Sequence, residues 1–193
     1  MSNLPLTSSQ TVGPFFSPAL LREDARRQVL VQPETVGERI RIEGHVLDGD
    51  RLPVPDALIE IWQANAHGRY NHPADKGPAL LDASFLGFGR SGTENEGTYW
   101  FETIKPGPVP FDSKQLQAPH ISVTVFARGL LNHLVTRLYF ADEPANAHDP
   151  VLLRVPESQR ATLLAQRQQE GTHLVYRFNI ILQGEGETAF FNV

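Results

Sequence analysis

The sequence predicts an all-β chain, a β-sandwich with long loops and one or two short helices. Two observations predict it. Several short runs alternate apolar and polar side chains, the period of a half-buried strand. Loops drawing on 15 Gly and 15 Pro separate those runs. Short strands punctuated in this way argue for a sandwich.

The first run is "RIRIEGHVLDGD". Ile40, Ile42 and Val46 fall on one face, and Arg39, Arg41, Glu43 and His45 on the other. It stops at the turn Asp48-Gly49-Asp50. "DALIEIWQA" (56–64) is a more fully apolar strand, "GTYWFETI" (97–104) a third and "PHISVTVFA" (119–127) a fourth. "HLVTRLYFA" (133–141) is a fifth. In "LVYRFNIILQ" (174–183), Leu174, Tyr176, Phe178, Ile180 and Leu182 share a face. The main helix expected is "PESQRATLLAQRQQEG", opening at Pro156 and ending before Gly171. "LREDARRQVL" (21–30) suggests a second, short one.

A chain of 193 residues with 40% apolar content suggests a single domain with a sizeable core. Formal net charge is −5 and no basic run exceeds Arg26-Arg27, which gives nucleic-acid or membrane-surface binding little support. There is no cysteine, so disulfides and thiolate metal sites are excluded and a reducing compartment is expected. "MSNLPLTSSQTVGPFF" lacks the pattern of a secretory signal, and no stretch approaches the roughly 18 apolar residues of a membrane span. The expectation is a soluble, cytoplasmic protein.

Three long connections remain: residues 1–36, 64–96 and 104–118. Long loops in a compact domain are usually functional or interfacial. In the first, Gly13-Pro14 flanked by Phe15 and Phe16 makes a rigid apolar hook. It reads either as a local turn or as part of an N-terminal arm, residues 1–36, that packs on a partner chain.

The chemistry-bearing residues are sparse. Of the seven histidines, His45, His67, His72, His120, His133, His148 and His173, no two stand two apart. His67 and His72 lie five apart in a loop, a weak spacing for a metal. No G-x-S-x-G elbow exists. "GFGRSG" (87–92) lacks the strand-then-helix context of a phosphate loop. In the fourth strand His120 is followed two residues on by Ser122, on the face opposite Ile121, Val123 and Val125. A histidine at 122 would have put two imidazoles on one strand face, a common way to hold a metal ion.

Six stretches together resemble the intradiol ring-cleavage dioxygenases. They are "SQTVGPFF" (9–16), "DALIEIWQANAHGRYNH" (56–72), "GFGRSGTENEGTYWFETIKPGP" (87–108), "APHISVTVFARG" (118–129), "TRLYF" (136–140) and "LQGEGETAFF" (182–191). Within that family the likeness is to the α chain of the two-chain members that act on protocatechuate. The resemblance implies a β-sandwich and, in catalytic chains, one non-haem Fe(III) held by two tyrosines and two histidines. Phenolates are hard anionic donors that favour ferric iron, and imidazoles complete the set. The reaction implied opens protocatechuate with O₂ between its two hydroxyl-bearing carbons, giving 3-carboxy-cis,cis-muconate.

Carried over residue by residue, the resemblance places Tyr70, in Gly68-Arg69-Tyr70, at the first tyrosine. Val109, after Lys105-Pro106-Gly107-Pro108, stands at the second. His120 matches the first histidine, and Ser122 stands at the second. Gln117 occupies the place of an arginine that assists catalysis. The implied reading is a chain with no catalytic residues and no metal of its own, with a vestigial site at Tyr70, Val109, Gln117, His120 and Ser122. Its iron-holding partner would be the β subunit, whose substrate pocket Thr11, Gly13, Pro14 and Arg128 would complete. Two alternatives stay open: a self-sufficient dioxygenase using His67 or His72, and a non-catalytic sandwich binding an aromatic ligand.

Overall fold

In a computed structural model, residues 19–192 are described. Eleven strands are formed among them: β1 (Arg39–Leu47), β2 (Leu58–Trp62), β3 (Phe88–Gly92), β4 (Thr98–Ile104), β5 (Val109–Pro110), β6 (Leu116–Gln117), β7 (His120–Phe126), β8 (Leu134–Phe140), β9 (Leu164–Glu170), β10 (His173–Arg177) and β11 (Ile180–Ile181). The main sheet runs β11-β1-β10-β9-β8-β7-β2-β3, with β4 also paired to β1, and β5-β6 form a separate ribbon. The sheet folds over at β9, which pairs antiparallel with β10 and parallel with β8. Two layers result, β4-β1-β10 and β8-β7-β2-β3, and their inner faces meet in one core.

That core is what the alternation specified. Ile40, Ile42 and Val46 of β1 meet Ile59 and Ile61 of β2, Phe101 of β4, Ile121, Val123 and Val125 of β7, Leu138 and Phe140 of β8, and Tyr176 of β10. Burying such side chains contributes roughly 1.5–3 kcal/mol each before entropic costs, so one layer cannot part from the other cheaply. The opposite face of β2, β7 and β8 is thereby left for polar and aromatic side chains.

The run 174–183 is interrupted where Asn179 stands. Its Oδ1 accepts from the His45 N–H at 3.0 Å, replacing a ladder bond. Pairing to β1 resumes with Val46↔Ile180.

Both helix expectations need correction. Of the run expected from Pro156 to Gly171, Glu157–Arg160 is α-helical (α1), followed by a 3-10 turn over Ala161–Leu163. Residues 164–170 form β9 instead, paired with β10 from His173↔Glu170 to Arg177↔Gln166. Gly171, φ +60°, is the hairpin turn and not a helix cap. Hydrogen bonds to a neighbouring ladder override the favourable helix propensity of a Gln- and Arg-rich run. Residues 21–30 likewise make one turn at Arg22–Arg26 and then extend. Arg27 bridges Arg90 and Val29 bridges Glu102, so the edges of β3 and β4 capture this segment. Among the described residues no helix is long and apolar enough to cross a membrane.

Candidate functional site

The polar face of β2-β7-β8 positions the site. In the β7–β8 ladder His120 lies opposite Tyr139 and Ser122 opposite Arg137. In the β2–β7 ladder Ser122 also lies opposite Trp62. Directly opposite residues share a face, with Cβ atoms roughly 4.5–5.5 Å apart. Trp62 in turn stacks on Tyr70, with centroids 5.6 Å apart and planes at 17°. Register thus joins Trp62, Ser122, Arg137, His120 and Tyr139, and the ring stack adds Tyr70.

The Tyr70 loop is set by Asn65, which is 2% exposed. Its Oδ1 accepts from the N–H groups of His67 and Arg69, at 2.9 and 3.0 Å. Its carbonyl accepts from Gly68 and Gly107. This one residue ties "NAHGRY" to "KPGP". The approach is close: a Cβ on Gly68 (φ +77°) would stand 1.9 Å from the Pro108 oxygen. Only glycine fits there. Lys105 anchors the second strip by an ion pair with Glu143 at 3.1 Å. Beyond it Val109 pairs with Gln117. The Gln117 amide donates to the Pro110 carbonyl at 3.1 Å.

Arg137 closes the group. Its Nη1 donates to Gln117 Oε1 at 2.7 Å and lies 3.4 Å from the Tyr139 hydroxyl. That hydroxyl donates to Asp149 Oδ1 at 3.1 Å. Asp149 is fully buried and also accepts from the N–H groups of Ala118, Val151 and Leu152. Ala118 then orients the histidine, since its carbonyl lies 2.8 Å from His120 Nδ1. A carbonyl only accepts, so Nδ1 carries the proton and Nε2 presents its lone pair.

Electrostatics follow from this geometry. Burial, and then the Arg137 charge, push the His120 imidazole down to about 4, so it is neutral near pH 7. Burial raises the Tyr70 phenol; Arg137 acts against that and Asp75 with it. Burial also holds Tyr139 well above the usual phenol range.

Through Trp62 and Arg137 the structure links the five positions that the resemblance singled out, Tyr70, Val109, Gln117, His120 and Ser122. Their donor set does not fit ferric iron. One phenol and one imidazole are present, where the other two ligand positions hold an isopropyl group and a hydroxymethyl group. Among the described residues no cluster of three or more His, Cys, Asp or Glu could hold a metal ion. His72 meets Trp62 edge-on, with Nδ1 accepting from the Ala74 N–H at 3.1 Å. His67 acts electrostatically on Asp82.

Arg128 is not part of this group. Its exposed side chain pairs with Asp56 at 2.9 Å. It lies just past the other end of β7 from His120, more than about 20 Å along the strand direction. Thr11, Gly13 and Pro14 lie outside the described residues. Sequence reasoning missed Trp62, Arg137, Tyr139 and Asp149. Arg137 and Tyr139 alternate on one face within "TRLYF", a signal that was available, but their register against β7 was not.

A family model described as Dioxygenase matches residues 11–184. The chain is 42% identical to the protocatechuate 3,4-dioxygenase alpha chain of Burkholderia cepacia over the full length of both. The chain belongs to the intradiol ring-cleavage dioxygenase family. The beta chain of the B. cepacia enzyme is 38% identical, covering 95% of this chain and 78% of that one. Among solved structures, the dioxygenase domain of a dioxygenase–carbohydrate-binding fusion from Streptomyces sp. SirexAA-E matches at TM-score 0.65 and 27% identity, covering 95% of this chain and 99% of that one. 3-Chlorocatechol 1,2-dioxygenase from Rhodococcus opacus 1CP shares the fold at TM-score 0.62 and 19% identity, over 93% of this chain and 69% of its own. Intradiol dioxygenases are iron-dependent enzymes, and the all-β architecture expected from the sequence is theirs.

Proposed function

We propose that this chain is the iron-free α subunit of a protocatechuate 3,4-dioxygenase, assembled with a β subunit that holds Fe(III). Protocatechuate and O₂ react at the partner's iron to give 3-carboxy-cis,cis-muconate. Overall identity separates the two roles poorly, at 42% against 38% for the B. cepacia chains. The observation that carries the reading is therefore local: Val109 and Ser122 stand at two of the four implied ligand positions, with Arg137 across the strand from Ser122.

The chain's own role is assembly and pocket completion. It forms one domain over 1–193, and residues 1–36 include the segment that reaches the partner. Thr11, Gly13 and Pro14 line the partner's substrate pocket, where a Gly-Pro turn lets backbone approach a flat aromatic ring. Arg128 attracts the substrate carboxylate at that entrance; its exposure, far from the chain's own cluster, supports this role. The assembly works in the cytoplasm.

The test is iron content and protocatechuate-dependent O₂ uptake, for the chain alone and co-produced with an iron-binding β chain. The expected result is an iron-free, inactive lone chain and an active complex with about one iron per α/β pair. Stoichiometric iron and turnover in the lone chain would overturn the reading.

A further inference from the structure

We propose that Arg137 is the group that closes this pocket to iron. Its guanidinium stands in for the metal's positive charge among Tyr70, Gln117, His120 and Tyr139, so restoring the two missing ligand side chains does not by itself restore a metal site. The inference rests on the reading of the chain as iron-free and says what keeps it so.

Four observations carry it. First, Arg137 lies directly opposite Ser122 in the β7–β8 ladder. A hydroxymethyl group there leaves room on the shared face for the long arginine; an imidazole would contend for the same space. Second, the guanidinium is held in place. It donates to Gln117 at 2.7 Å, lies 3.4 Å from the Tyr139 hydroxyl, and its carbon lies 6.0 Å from the centroid of the Phe191 ring. Third, among the described residues no carboxylate forms a salt bridge with Arg137. The nearest carboxylate of the network, Asp149, is reached only through the Tyr139 hydroxyl, and a second cation beside Arg137 would meet a charge that cannot be lost by deprotonation. Fourth, the remaining half of a metal site is still formed. His120 keeps its Nδ1 bond to the Ala118 carbonyl, the arrangement that aims Nε2 at a ligand position.

Gln117 gains a reason for its presence in the same way. An arginine at 117 would set two guanidiniums against each other. An amide oxygen instead accepts from Arg137. Positions 117 and 137 thus form a matched pair of amide acceptor and guanidinium donor.

The test compares four full-length proteins: wild type, R137Q, V109Y/S122H and V109Y/S122H/R137Q. Each is produced in iron-supplemented medium and purified with its partner where one is bound. Iron is counted per mole of this chain above the wild-type baseline, and tyrosinate-to-iron absorption is recorded. Circular dichroism and a cooperative melt confirm folding. The expected result is less than a tenth of an iron in V109Y/S122H and close to one additional iron once R137Q is added. Equal iron in the double and triple variants, filled or empty, overturns the proposal. If the triple variant does not fold, zinc affinity is compared between S122H and S122H/R137Q. At least tenfold tighter binding without Arg137 is expected, and equal affinity overturns the proposal. Stoichiometric iron in the wild-type lone chain would instead overturn the iron-free reading on which the proposal rests, and the two failures are distinguishable.

Discussion

Acidification tests the His120 environment directly. The imidazole is 4% exposed and its pKa is pushed down to about 4 from 6.5. Between those values the unfolded chain binds a proton at this residue and the folded chain does not. Stability therefore rises with pH across that window and falls as the pH drops from about 6.5 to about 4. The interval corresponds to a ceiling of about 3 kcal/mol, of which about 2.5 kcal/mol is lost by pH 4.5. Asp75 and Asp82 have depressed pKa values, so their contributions are present above the ordinary carboxylate value of 3.8 and are lost below it, outside the window. The assay is urea unfolding at about pH 7 and about pH 4.5, for wild type and His120→Gln. All other residues are common to the two proteins and cancel in the difference. Wild type should lose about 2–3 kcal/mol more than the variant on acidification. Equal losses would refute the burial argument.

Three further outcomes are expected. Asp149→Ala strips four donors of a buried acceptor, the N–H groups of Ala118, Val151 and Leu152 and the Tyr139 hydroxyl. It should cost about 3–5 kcal/mol in chemical denaturation, and a loss below about 1 kcal/mol would contradict the network. Gly68→Ala forces an L side chain into φ +77° and into the Pro108 carbonyl, whereas Gly129→Ala meets a similar φ of +81° with no atom within 4 Å. The first should cost at least about 2 kcal/mol more than the second, and similar melting temperatures would show that the two loops are not in contact. Arg128→Gln removes only an exposed ion pair, so stability should change by less than about 1 kcal/mol. In the assembled enzyme it should lower kcat/KM for protocatechuate, and unchanged kinetics would remove Arg128 from the pocket.

Much of the fold was legible because alternation reports burial. Ile40, Ile42, Ile121, Val123, Val125 and Tyr176 are all in the core, as their spacing required. The polar strand β9 was not legible. Beyond Ala165 its side chains are exposed, so no apolar period marks it. Its conformation comes from the ladder with β10, a contact that the sequence of 164–170 alone does not encode. The extended path of 27–30 has the same origin, in the open edges of β3 and β4.

The sequence by itself determined which donors this chain owns. Val109 and Ser122 cannot supply a phenolate and an imidazole, whatever the fold does. Only the tertiary structure decided what stands against Ser122 and His120. Strand register sets Arg137 against Ser122 and Tyr139 against His120, and register is a long-range pairing fixed by the packing of both layers. Charge in that pocket is consequently a property of how β7 and β8 meet, which no local run of residues contains.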